Sequence, residues 1–234
     1  MCCFFAEDGI PLSLLHAAHR RATGILGEME NKSYMSLTEG DPKAVDLGLG
    51  VLWADRNVDS FLPVSFGGYY SWGDLYPWKS EYNYYFSVPH GQRISLRQMT
   101  RNVISGNPSF DVAAKKCKNG WRMPTVAEFK ELIDKCQWTW IGEEENGEAV
   151  SGGYEIRGMN GSCIFLPAAG IGHGDVPEES FIEDCAEYGF YWSGNICEND
   201  TDLAYALCFH KERHILQQEW RSRGCSIRPV CSRT

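Results

Sequence analysis

The sequence predicts an α+β domain, and three observations carry that expectation. Thr125 followed three residues later by Glu128 forms a capping box at the head of an apolar-periodic stretch, the signature of a helix start. Downstream, short apolar segments alternate with glycine-rich or acidic turns, as in antiparallel strands lying beside helices. Aromatic residues make up 13% of the chain and glycines number 24, which suits short strands and irregular turns in which large rings supply the core volume.

Taken in chain order, residues 11–30 carry a helical pattern, with Leu14, Leu15, Ala18, Ala22, Ile25, Leu26 and Met29 at three- and four-residue steps. Gly24 and Gly27 weaken it, each costing about 1 kcal/mol against alanine. This helix is expected to pack on the domain or to mediate self-association. Residues 31–43, rich in Ser, Gly, Asp and Lys, read as a linker, which divides the chain into an N-terminal region (1–43) and a domain (44–234). The stretch from Val45 to Asp55 has the alternation and glycine punctuation of paired short strands. Residues 64–90 hold many aromatics without a period and are expected to form a packed, loop-rich insert. A short helix is expected from Asp111 to Cys117, ended by an Asn119-Gly120 turn, and an amphipathic helix over 126–136 with Val126, Phe129, Leu132, Ile133 and Cys136 on one face. Strands are expected at Trp138–Ile141, Tyr154–Arg157, Cys163–Leu166, Phe190–Ser193, Leu203–Phe209 and Cys225–Val230, with Glu143-Glu144-Glu145 as a solvated loop.

Composition narrows the function classes. A net charge of -9 argues against nucleic acid, which needs a concentrated basic surface; the C-terminal cluster Arg213, Arg221, Arg223, Arg228 and Arg233 is interrupted by Glu212 and Glu219. Ten cysteines include no Cys-x-x-Cys pair, so zinc and thioredoxin-type chemistry lack their strongest signal. Cys163 and Cys208 lie in apolar strand contexts, and buried free thiols acting as small hydrophobes are the expectation there. No stretch has the 18 or so apolar residues of a membrane span, and the N-terminus lacks the basic start and apolar run of a signal peptide.

Seven segments occur in an order that resembles a known family: Val45-Asp46-Leu47-Gly48-Leu49, Val51-Leu52-Trp53-Ala54, Gly67-Gly68-Tyr69-Tyr70-Ser71-Trp72-Gly73, Trp121-Arg122-Met123-Pro124-Thr125 with Glu128-Phe129, Ser162 through Gly170, Tyr191-Trp192-Ser193, and Ser226-Ile227-Arg228-Pro229-Val230. They resemble the Fibrobacter succinogenes major paralogous domain, abundant in gut Bacteroidetes and distantly related to the formylglycine-generating (sulfatase-modifying) enzymes. The resemblance implies a C-type-lectin-like fold: a small twisted antiparallel sheet, two flanking helices, long irregular loops, and N- and C-terminal strands brought together. It also implies core or turn roles for Trp121, Pro124 and Phe165, and charge-satisfied burial for Arg122 and Arg228. A cell-surface or secreted location is what the family suggests.

Chemistry finds little purchase. Cys225 and Cys231 lie where a sulfatase-modifying enzyme would need reactive thiols, but five residues separate them and no matching motif surrounds them. Glu198-Asn199-Asp200 offers oxygens in a turn without the tripeptides of calcium-dependent lectins, and His210 and His214 have no obvious third ligand. No phosphate-cradling or dinucleotide loop occurs, and no metal or cofactor is expected. The interior of 194–223 departs from the family's Tyr, Asn and Gly, and in the implied fold it forms the ligand-facing surface. The expectation is a non-catalytic binding or adhesion module whose contacts are Glu198, Asn199, Asp200, His210, Lys211, Arg213, His214, Trp220 and Arg221, with a protein or glycan on another cell or particle as ligand. The variable proteins of diversity-generating retroelements use the same architecture; diversification of 194–223 and ordinary drift of a surface loop both stay open. Two rivals are a structural subunit of a surface fibre or phage tail, and an oxidoreductase related to the formylglycine-generating enzymes.

Overall fold

The structure, a computed structural model, describes residues 40–77, 102–145, 148–173 and 181–233. The helix expected over 11–30, with its self-association role, lies outside the described residues, as do most of the linker and the aromatic run beyond Pro77.

The architecture is α+β: four small antiparallel sheets and two helices among the described residues. Strand β1 (Ala44–Val45) pairs with β2 (Val51–Ala54), and β11 (Val230–Ser232) takes the other edge of β2 with Val230 opposite Trp53. The turn between β1 and β2 is fixed by Asp46, whose carboxylate accepts the Gly48 N–H at 2.8 Å while Gly48 sits at φ +78°. Arg233 donates to the same carboxylate at 2.6 Å, so both ends of the domain close at one point.

Helix α1 (Val112–Lys116) is short, as the sequence predicts. The buried Asp111 carboxylate caps it through the Ala114 N–H and also accepts from Gly106 and Met123, so one side chain pins the chain before and after the helix. The Asn119-Gly120 turn follows with both residues at positive φ. Helix α2 (Val126–Lys135) carries the predicted capping box, reinforced by Arg122, which grips both Glu128 oxygens. Phe129 and Leu132 are its fully buried face, each contributing roughly 1.5–3 kcal/mol of apolar burial. Cys136 is the cap residue, not the last helical one.

Strands β3 (Gln137–Glu145), β4 (Glu148–Arg157) and β5 (Cys163–Pro167) form a meander. The acidic run is therefore not a loop: it ends β3, across a register shift between Glu143 and Glu144, because pairing with β4 continues as far as Glu145 opposite Glu148. Strands β6 (Ile171–His173) and β7 (Phe181–Glu183) make a small ribbon. Strands β8 (Gly189–Ile196), β9 (Leu203–His210) and β10 (Arg213–Trp220) make the sheet at the centre of the molecule.

Two cores lie on the two faces of that sheet. Trp192, Ala204, Ala206 and Cys208 face a core with Trp72, Ile104, Met123 and Cys225. Tyr191, Leu207 and Phe209 face another with Trp53, Phe129, Leu132, Tyr154 and Leu166. The segment expected as a strand over Cys225–Val230 is single bridges, Cys225 to Tyr70 and Ser226 to Tyr191, until β11 begins at Val230, which also bridges Arg122. Pro229 has no N–H to donate to a ladder. Arg228 is completely buried and donates to Asn57 Oδ1 at 2.8 Å, Ala54 O at 3.0 Å and Phe165 O at 2.8 Å. Trp121 and Pro124 are buried and Phe165 is half-buried.

Candidate ligand-binding surface

The central sheet divides the expected contacts between its two ends. Glu198, Asn199 and Asp200 are exposed in the turn joining β8 to β9. That turn is self-ordered: the Asp202 N–H donates to Asp200 Oδ1 at 3.0 Å, and Leu203 N–H to Asp200 O at 3.1 Å. Trp220, at the end of β10, pairs with Leu203 and is 53% exposed, so its indole stands beside the same turn. On that sheet face the pairs Trp220–Leu203 and Gln218–Tyr205 are adjacent, giving an aromatic patch next to an acidic turn. Leu203, Tyr205 and Gln218 were not anticipated. The alternation along 203–210 was the signal for them, but it needs the pairing register to say which of two faces is open.

His210, Lys211, Arg213 and His214 lie at the opposite end, around the two-residue Lys211-Glu212 turn, seven residues along β9 and thus about 24 Å away. Lys211 and Arg213 are exposed, and Lys211 approaches Glu144 of β3 at 3.4 Å. His210 and His214 point to opposite faces, because His210 pairs with Arg213 and His214 with Phe209. They cannot share a metal ion. His214 stacks flat on Trp138, with ring centroids 4.3 Å apart, and meets Tyr154 edge-on; burial holds its imidazole below its ordinary range. The Tyr154 hydroxyl in turn lies 3.0 Å from His210 O and 3.1 Å from Lys211 O, tying the turn to β4.

Arg221 departs from expectation: it is buried, not a surface contact. Its guanidinium lies over the Trp72 ring at 5.7 Å with Asp202 at 3.9 Å, and desolvation lowers its pKa. The wider expectation that the interior of 194–223 faces ligand is corrected in the same way. Ile196, Cys197, Ala204, Ala206, Leu207, Cys208 and Phe209 are core, because the strands alternate between two buried faces.

The cysteines follow the same logic. Cys197, Cys208, Cys225 and Cys231 are free thiols and buried. Cys163 is exposed, contrary to the buried setting expected for it, since it begins an edge strand. Burial pushes the Cys225 thiol well up and the Cys231 thiol up as well, which disfavours the thiolate. Among the described residues no group of three His, Cys, Asp or Glu side chains converges as a metal site, and no helix is long and apolar enough to cross a membrane. No family model matches the chain, and no curated protein or solved structure matches it.

Proposed function

We propose that the chain is a non-catalytic recognition module of the C-type-lectin-like kind, related to the Fibrobacter succinogenes major paralogous domain. Support for the architecture comes from the closure of β1 and β2 on β11, which joins the two ends of the domain, and from two helices flanking small antiparallel sheets. The observation that carries the functional reading is Trp220: a large indole left 53% exposed at the end of the outer strand, beside a self-ordered turn bearing Glu198, Asn199 and Asp200. An aromatic anchor with polar groups held rigidly at its rim is the arrangement that gives contact area and orientation at low ordering cost.

The ligand is a protein or glycan on another cell or particle, and the contact face is the Trp220 end of the sheet. Lys211 and Arg213 form a separate charged tip. If 194–223 is diversified, the variation is confined to its exposed positions, because core positions in that segment do not tolerate it. The oxidoreductase reading draws no support from Cys225 and Cys231, whose thiols burial keeps protonated. Binding of fluorescently labelled chain to a glycan array and to intact bacterial cells tests the proposal. Selective binding by the wild type, lost by at least about tenfold in Trp220→Ala and kept in Lys211→Ala, is expected. Absence of selective binding, or binding indifferent to Trp220, would refute it.

A further inference from the structure

Strand β10 is the outer strand of its sheet, and apart from its charged Arg213 and Glu219 it lacks the features that usually protect an edge. Its eight residues pair with β9 without a register shift, and it contains neither proline nor lysine. Helix α2 and the core of Phe129 and Leu132 lie against the face that carries Leu216, which leaves the edge itself uncovered by any strand among the described residues.

The parity of the ladder fixes which backbone groups that edge presents. The two-residue turn closes on the pair His210–Arg213, so Arg213, Ile215, Gln217 and Glu219 direct their N–H and C=O groups to β9. Those of His214, Leu216 and Gln218 point outward. Trp220 agrees with this parity: its N–H is taken by the Glu219 carboxylate at 2.9 Å, not by β9.

We propose that β10 pairs antiparallel with β10 of a second copy of this chain, about a two-fold axis through Leu216. In this register His214 faces Gln218 of the second copy, Leu216 faces its own equivalent, and Gln218 faces His214. Every outward N–H and C=O at these three positions is then satisfied. The intervening positions bring Arg213 opposite Glu219 and Ile215 opposite Gln217. Arg213 is exposed, whereas the Glu219 side chain is only 17% exposed, with one oxygen on the Trp220 N–H and its intramolecular partner Arg223 standing off at 3.9 Å, so the pair forms at the margin of the sheet face. The two-fold axis makes each such ion pair twice. It is this charge self-complementarity that selects a second copy over an unrelated strand, since an arbitrary peptide would not place Glu opposite Arg213 and Arg opposite Glu219. Slipping the register by two residues breaks both pairs.

The result is a continuous six-stranded sheet in which both copies of Trp220 emerge on the same face, about 27 Å apart along the strand direction. Whatever the surface binds, such a pair engages a repetitive target bivalently.

Sedimentation velocity on the full chain tests the proposal with four variants. The wild type is expected to run as a dimer at micromolar concentration. Arg213→Glu and Glu219→Arg each place like charges opposite one another and should weaken self-association about tenfold or more. The double swap, Arg213→Glu with Glu219→Arg, restores opposite charges and should restore the dimer, which a folding defect would not do. Gln218→Pro removes an outward N–H without removing a bond to β9, and should give a monomer with an unchanged circular dichroism spectrum. A monomeric wild type, a dimer insensitive to the single reversals, or failure of the double swap to restore it would overturn the proposal.

Discussion

Replacing Arg228 is the sharpest test of how the two cores are held together. Its guanidinium is fully buried and serves three acceptors on two segments: Ala54 and Asn57 at and just after the end of β2, and Phe165 in β5. Burial alone would expel the charge, and desolvation does lower its pKa to about 10, yet at neutral pH it stays protonated. Asn57 is oriented by its own donations to Phe66 O at 2.8 Å and to the Tyr191 hydroxyl at 3.2 Å, and that hydroxyl donates to Pro167 O. Arg228→Met keeps the volume and removes the charge. Each acceptor that loses its donor costs about 1–3 kcal/mol. The sum is offset by the relieved desolvation of the cation, so the net loss should be about 3–5 kcal/mol. For a domain of this size that lowers the urea midpoint by about 1–2 M, read by tryptophan fluorescence. Arg228→Lys should be nearly as damaging, because an ammonium lacks the planar fork that reaches three separated acceptors. A midpoint unchanged in Arg228→Met, or a wild-type midpoint in Arg228→Lys, would show that the network does not hold the segments together.

Two further outcomes follow from burial. His214 is held below its ordinary pKa of 6.5 by desolvation, so the unfolded chain takes up the proton first as pH falls. Its contribution to stability is complete above about pH 6.5 and is lost as pH drops through the lower folded value. His214→Phe preserves the stack on Trp138 and should flatten the pH dependence of the urea midpoint below pH 6.5. His173, whose pKa is also lowered by desolvation, and carboxylates with shifted pKa values such as Asp74, Asp111 and Glu128 contribute to the residual slope; a slope unaltered by His214→Phe would contradict the assignment. In native protein, an alkylating reagent should modify Cys163 quickly and Cys225 only at the rate of unfolding, as mapped by peptide mass spectrometry. Equal native rates for the two would mean that Cys225 is accessible and that its place in the core is wrong.

The helices were legible in the sequence because their signals are local. Thr125 and Glu128 sit three residues apart and satisfy each other's backbone, and Asp111 caps the helix that follows it, so neither needs the rest of the chain to be recognised. Strand β10 was missed for the opposite reason. Its sequence, Arg213 through Trp220, has no clean alternation, because Ile215 and Leu216 are adjacent and point to different faces, both partly covered. The ribbon of β6 and β7 was missed because three-residue strands carry no period at all. Glu143 to Glu145 reads as a solvated loop and is strand, with Glu143 and Glu144 exposed; charge reports exposure and not backbone conformation.

The candidate site was half legible, and the division has a physical cause. Polar and aromatic residue types mark a segment as capable of recognition, but a strand buried on both faces separates neighbours in sequence onto opposite sides of the sheet and opposite ends of the molecule. Trp220 and Arg221 are adjacent, yet one indole is open to solvent while the next side chain lies under cover against Trp72. His210 and His214 are four apart and face different cores. Which side chains share an open face therefore has to be read from the register of β9 against β10, and that register places Trp220 beside Leu203 and the 198–200 turn, and Arg213 beside His210 at the far tip. The same register sets the parity of the open edge. One set of pairings thus decides both which side chains of β10 are open to solvent and which of its backbone groups point away from β9, so a slip of one residue in β10 would change both together.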